Sequence, residues 1–267
     1  MKKTAALIPP AEQKNNQLTI VIHIYNNQKL LDLQIESWNK WGPISNLELI
    51  FIDDGSRPAL HLSTIPIWVR KIRILEDIPW NQPGAKNLGA HLASSPWLLF
   101  FDADQFIDKN KIIKLIALLP KLDKKVIYRF PRICSRTNQK LDTHQNSQLI
   151  SRQEYINFGG YDEDFSGNYG HEDAYLERLW KFQGGRIAVL DAPSLIDLSE
   201  LRTTGLNRND RINELLRRRK MRFWHLLQNP AGKYLLSNQL ITKSLIKFRI
   251  ISDGRPSKKI NFNWQEI

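Results

Sequence analysis

Three features of the sequence predict an α/β fold built on a Rossmann-like, mostly parallel central sheet flanked by helices. The first is Trp97-Leu98-Leu99-Phe100-Phe101, five large apolar residues in a row. Such a run is covered only when a strand is buried on both faces, as in the interior of a parallel sheet. The second is a β-branched run from Leu18 to Tyr25, then a helical pattern, then a second apolar run from Leu47 to Ile52. Strand, helix and strand in that order form a crossover unit, right-handed by default. The third is that two apolar runs stop on acidic turns, Asp53-Asp54-Gly55-Ser56 and Asp102-Ala103-Asp104. Open α/β sheets place their ligands at the C-terminal ends of strands.

Residues 1–17 are polar and proline-containing and read as a flexible arm, residues 18–204 as the folded domain, and residues 205–267 as a basic helical extension. After the first strand, Asn26-Asn27 turns the chain. Leu30, Leu31, Leu33, Ile35, Trp38 and Trp41 then recur at helical spacing until Gly42-Pro43. Ile72 to Leu75 reads as a short third strand. Pro83-Gly84 opens a helix with Ala85, Leu88, Gly89 and Leu92 on one face. Beyond the central strand, Ile112, Ile113, Leu115, Ile116 and Leu119 place a helix over 109–119, and Val126 to Phe130 is strand-like. The polar stretch that follows, up to residue 150, fits neither period. A helical turn at 153–158 precedes the acidic, aromatic turn Gly159-Gly160-Tyr161-Asp162-Glu163. Leu176, Leu179, Trp180 and Phe182 give the next helix one apolar face. Ile187 to Leu190 is a strand, and 191–200 returns toward the strand ends. A basic helix over 209–228 and an amphipathic stretch over 234–251 complete the chain.

Several polar residues sit where chemistry is expected. Asp102 and Asp104, on a short turn at a strand end, form a hard-cation site for Mg²⁺ or Mn²⁺ carrying a phosphate, although an Asp here also caps helices. Asp53 and Asp54 end a neighbouring strand, where a carboxylate accepts a hydrogen bond from a base N–H or a ribose hydroxyl. Lys86 lies in the first turns of a helix whose free N–H groups suit a diphosphate, and supplies a counter-charge. Glu172 and Asp173 open a helix, where the dipole favours carboxylates and capping alone would account for them. Tyr169 and His171 lead into that helix and are candidates for acceptor binding beside a carboxylate serving as general base. His23, inside the first strand, is assigned no role.

The totals narrow the partners. The formal net charge is +12, yet residues 1–201 hold 24 Lys+Arg against 23 Asp+Glu, and residues 202–267 hold 15 against 4. The basic excess belongs to the tail, which points to an anionic membrane surface reached through 205–251, with no nucleic acid expected on the main domain. A single cysteine, Cys134, excludes an internal disulfide framework and fits a reducing compartment. No run approaches the ~20 apolar residues of a membrane span, and the N-terminal apolar run is too short for a signal peptide. The expected location is cytoplasmic, peripheral on the inner membrane face.

Asp53-Asp54-Gly55-Ser56, Pro83-Gly84-Ala85-Lys86-Asn87-Leu88-Gly89, Phe101-Asp102-Ala103-Asp104, Gly159-Gly160-Tyr161-Asp162-Glu163 and Gly170-His171-Glu172-Asp173 occur in that order. With this order and spacing the chain resembles the family 2 type of nucleotide-sugar glycosyltransferases with the GT-A fold, its second half resembling galactosyltransferase-type members. The resemblance implies a catalytic domain over 18–204 that moves a hexose or N-acetylhexosamine, with inversion, from a UDP-sugar to a glycan or lipid-linked saccharide. It implies uridine contact by Asp54 with Asp53, and Mn²⁺ or Mg²⁺ on Asp102 and Asp104. Asp173 would be the base and Glu172 would bind acceptor or donor sugar. Such relatives commonly add a histidine ligand downstream, absent from Leu195-Ile196-Asp197-Leu198-Ser199-Glu200. Either Asp197 substitutes as an oxygen ligand or the ion has no third protein group. Two alternatives compete. A sugar-nucleotide pyrophosphorylase would carry a Gly-rich basic loop after the first strand, where Tyr25-Asn26-Asn27-Gln28 stands. A non-catalytic nucleic-acid or membrane-binding protein would rest on the tail.

Overall fold

The computed structural model describes residues 16–191, 195–254, 256–257 and 262–267. The strands are β1 (Leu18–Ile24), β2 (Leu47–Asp53), β3 (Arg70–Ile74), β4 (Trp97–Phe100), β5 (Gln105–Phe106), β6 (Val126–Arg129), β7 (Arg132–Cys134), β8 (Lys140–Leu141), β9 (Gln148–Ser151), β10 (Arg186–Val189), β11 (Leu195–Asp197) and β12 (Trp264–Glu266). The helices are α1 (Gln28–Trp41), α2 (Gln82–Leu92), α3 (Lys109–Leu118), α4 (Arg152–Phe158), α5 (Glu172–Phe182), α6 (Arg211–Leu227), α7 (Pro230–Ser237) and α8 (Gln239–Lys247). One eight-stranded sheet runs in the order β10-β6-β9-β4-β1-β2-β3-β12, and a second, four-stranded sheet in the order β5-β11-β7-β8.

The middle of the large sheet is parallel: β1 pairs with β4 on one side and β2 on the other, and β2 with β3. Alternation along the strands then fixes two cores. Leu18, Ile20, Ile22 and Ile24 of β1 face one layer with α1 and α3, whereas Val21 faces the other with α2, α4 and α5. Gly89 lets α2 lie against β1, because a Cβ there would stand 2.3 Å from a methyl of Val21. The apolar run at 97–101 is buried throughout, and all four residues of β4 are enclosed, as a strand covered on both faces requires.

The stretch without a period, 131–150, contains β7, β8 and β9. β9 inserts antiparallel between β4 and β6, making the sheet mixed at that side. Its four residues, Gln148-Leu149-Ile150-Ser151, are all buried, so no inside-outside alternation marks them. The expected arm lies outside the described residues except for Asn16 and Gln17, whose N–H donates to Asn46 O at 2.9 Å. Residues 192–194 of the returning segment also lie outside them. The extension after 205 is helical through α6, α7 and α8, but it also returns β12 to the main sheet, antiparallel to β3. Its Phe262 and Ile251 are buried.

Candidate active site

Asp54, Asp102 and Asp104 line one cleft of about 210 Å³ at the C-terminal ends of β2 and β4. The turn after β2 separates two neighbouring aspartates. Asp53 follows Phe51 and Leu49 on the α1 side; its carboxylate is fully buried, bonded to Arg73 Nε at 2.9 Å and accepting from Ser56 N at 3.1 Å. It is absent from the cleft wall. Asp54 turns the other way and accepts from Asn81 Nδ2 at 2.9 Å. Burial raises its pKa well above the ordinary value, with Asp53's charge adding to that shift. Gly55 makes this turn possible at φ 77°, where a Cβ would collide with Glu76 O at 2.0 Å.

Asp102 and Asp104 differ in their partners. Asp102 Oδ2 stands 3.3 Å from His144 Nδ1 and accepts from Asn146 Nδ2 at 3.3 Å. Burial opposes its charge, yet the His144 hydrogen bond and the Lys86 charge hold its pKa well below the ordinary value. Asp104 meets Arg202 Nε at 3.3 Å; burial and the charge of Asp102 push its pKa up to about 6. Two carboxylates that burden one another suit a divalent cation, which takes one or two carboxylates and completes its shell with phosphate and water oxygens. The donor set therefore fits Mg²⁺ or Mn²⁺. Asp197 bonds Arg132 Nη1 at 2.5 Å, its strand pairs with β5 just beyond Asp104, and its charge adds to the upward shift of Asp104. Among the described residues no group of three His, Cys, Asp or Glu is arranged to hold a metal, so the fit rests on Asp102 and Asp104.

The second acidic pair sits at the edge of the cleft. Gln82, in the cleft wall, donates from Nε2 to Glu172 Oε1 at 3.1 Å and to Asp173 Oδ2 at 3.2 Å. Tyr161 OH donates to Asp173 Oδ1 at 2.6 Å, and Lys86 Nζ lies 3.9 Å from the same oxygen. Burial and Asp173's charge push the Glu172 pKa up to about 8, so at neutral pH Glu172 keeps its proton. Gln82 Nε2 also donates to Asn146 Oδ1 at 3.2 Å. Asp102, Asn146, Gln82 and Asp173 thus form one hydrogen-bonded chain joining the two acidic pairs.

Other expected residues divide. Tyr169 lines the cleft with its ring 4.6 Å from that of Trp80. His171 does not; its left-handed backbone (φ 71°) precedes α5, and its ring faces Asp210 at 3.2 Å. Lys86 is wholly buried behind the cleft, over the Tyr161 ring at 5.0 Å. It serves there as an internal counter-charge.

The cleft also contains residues the sequence did not single out. His23 lines it with Nδ1 unpartnered, and burial, helped by Lys86, lowers its pKa to about 4. Arg202, Thr203, Leu206 and Arg208 cross one side as a strap. Arg208 lies 5.4 Å over the Trp80 ring, whose Nε1 donates to Asn207 O at 2.8 Å. The available signals were Trp80 directly before Asn81 and two arginines just past a strand returning to the site.

The family model for Glycosyl transferase family 2 matches residues 19–192. The chain belongs to that family. Among curated relatives, the amylovoran biosynthesis glycosyltransferase AmsB of Erwinia amylovora is 28% identical over 122 residues, covering 44% of this chain and 40% of that protein. The chain thus spans well under half of that relative's length. Two solved structures share the fold. The mannosyltransferase PcManGT from Pyrobaculum calidifontis, in complex with GDP-Man and Mn²⁺, superposes with a TM-score of 0.53 at 13% identity, over 79% of this chain and 63% of its own. TarS of S. aureus gives a TM-score of 0.52 at 11% identity, over 87% of this chain and 47% of its own. These likenesses bear on the fold, and agree with the GT-A fold expected from the five motifs.

Proposed function

We propose that this family 2 member is an inverting, metal-dependent glycosyltransferase that moves a hexose or N-acetylhexosamine from a UDP-sugar to a hydroxyl of a glycan or lipid-linked saccharide. The observation that carries the reading is the chain Asp102, Asn146, Gln82, Asp173, which couples a cation-binding pair to a candidate base along one cleft. Asp54 and Asn81 offer a polar edge for the base of the nucleotide. Arg202 and Arg208 bring positive charge to the diphosphate, and the Trp80 and Tyr169 rings give a sugar a stacking surface. Family membership and a neighbour crystallised with a nucleotide-sugar and Mn²⁺ support the donor class. Bound to Asp102 and Asp104, Mn²⁺ or Mg²⁺ would offset the charge of the leaving nucleoside diphosphate.

In the reaction the acceptor oxygen forms a bond to the anomeric carbon while the bond from that carbon to the diphosphate oxygen breaks. The hydroxyl proton passes to Asp173, which Tyr161 and Gln82 hold in place. Glu172, neutral at pH 7, donates a hydrogen bond to a sugar hydroxyl. The nucleoside diphosphate leaves against the arginines of the strap. Incubation with a panel of UDP- and GDP-sugars and Mn²⁺ should release a nucleoside diphosphate slowly even without acceptor, fastest with a UDP-sugar. No release from any donor, with no Mn²⁺-dependent nucleotide binding, overturns the reading; release from GDP-sugars alone overturns the choice of UDP.

A further inference from the structure

We propose that the hairpin of α7 and α8 docks on an anionic phospholipid bilayer. The proposal stands apart from the reading of the cleft. Within the basic extension, α6 is committed to the body of the protein. Lys220 is buried between Asp162 and Asp164, 2.8 Å from an oxygen of each, Met221 is buried, and Asn213 donates to Phe165 O and Asn168 O. The lysine and arginine content of α6 is thus partly spent inside.

The next two helices are different. No described residue of α8 is buried, and in α7 only Gly232 is. Tyr234 and Leu240 are each 77% exposed and Phe248 72%, with Ile246 and Ile250 also exposed nearby. Neighbouring apolar side chains left in water mark an interaction surface. Lys233, Lys243, Lys247 and Arg249 lie among them, all exposed, and no Asp or Glu occurs between Glu214 and Asp253. That combination selects the occupant. Lipid phosphates meet the cations while the acyl boundary receives the tyrosine, leucine and phenylalanine. A nucleic acid would answer the charge and leave those apolar groups in water. α6, about 25 Å long at 17 residues, links this hairpin to the strap of the cleft, so docking brings the active site within a helix length of the lipid surface.

The test is co-sedimentation of the full chain with vesicles of phosphatidylcholine alone or mixed with phosphatidylglycerol. The chain should bind the mixed vesicles, ignore phosphatidylcholine alone, and be released by salt. Lys243→Gln and Lys247→Gln should each weaken partitioning about fivefold. The double change Leu240→Ser and Phe248→Ser should weaken it at least about tenfold, with an unchanged circular dichroism spectrum. These side chains are exposed, so folding is spared. No binding to the mixed vesicles, or binding that all these changes leave intact, overturns the proposal. Salt-sensitive binding to RNA or polyglutamate without retention on vesicles overturns it too, assigning the surface to a polyanion.

Discussion

The two acidic pairs of the cleft are chemically alike and differ in the partners that meet them. Asp102 and Asp104 face cations and imidazole, His144 on one side and Arg202 on the other. Glu172 and Asp173 are met mainly by the neutral donors Gln82 and Tyr161, with Lys86 3.9 Å away. Within the first pair the His144 hydrogen bond and the Lys86 charge hold Asp102 well below the ordinary carboxylate range, while burial and the charge of Asp102 push Asp104 up to about 6. In the second pair burial and the charge of Asp173 push Glu172 up to about 8. The partners of a carboxylate, more than its place after a strand or before a helix, set how readily it ionises.

Three measurements press on that contrast. The largest effect is expected from Asp173→Asn, which keeps the shape and an oxygen to accept from Tyr161 but removes the proposed base. Transfer should fall about 10³-fold while Mn²⁺-dependent UDP binding, followed by calorimetry, is retained. Loss of binding to the same degree would erase the division between the pairs. Next is Asp104→Ala, expected to weaken Mn²⁺-dependent UDP binding about 100-fold, with a matching loss of Mn²⁺ binding read by electron paramagnetic resonance. A variant that binds metal and nucleotide normally would remove Asp104 from the cation site.

The third measurement concerns stability, with an effect of at most about tenfold in the folding equilibrium per pH unit. Folded Glu172 holds its proton up to about pH 8, whereas the unfolded chain releases it near the ordinary value of 4.5. Between those limits the unfolded state binds fewer protons, so stability falls as pH rises, by at most about 1.4 kcal/mol per pH unit. Glu172→Gln should flatten that slope in urea titrations across the window. An unchanged slope would mean that Glu172 is not the group keeping its proton.

Much of this arrangement was legible in the sequence because burial writes itself as runs and periods. The strands at 18–24, 47–53 and 97–100 are apolar enough to announce themselves, and the acids that end the last two mark the sheet edge where the cleft lies. What the sequence concealed was the direction of individual side chains. Asp53 and Asp54 read as equivalent, yet one step along the backbone sends Asp53 to Arg73 and Asp54 to the cleft. Lys86, expected to face a diphosphate, is enclosed by Phe100 and Tyr161. His144 and Asn146 come from a polar segment between very short strands, where neither period is long enough to register. The arginines at 202 and 208 were counted with the tail's excess charge, since only the tertiary fold carries them over the cleft.

The pairing of β12 with β3 also bears on how the sheet is assembled. Arg70 and Glu266, which hold that edge together by an ion pair at 2.7 Å, are 196 positions apart. Until so distant a segment arrives, β3 presents a row of unsatisfied amides and carbonyls to whatever strand diffuses past. Removal of residues 262–267 would leave that rim of β3 unpaired, an open edge able to recruit a strand from another molecule.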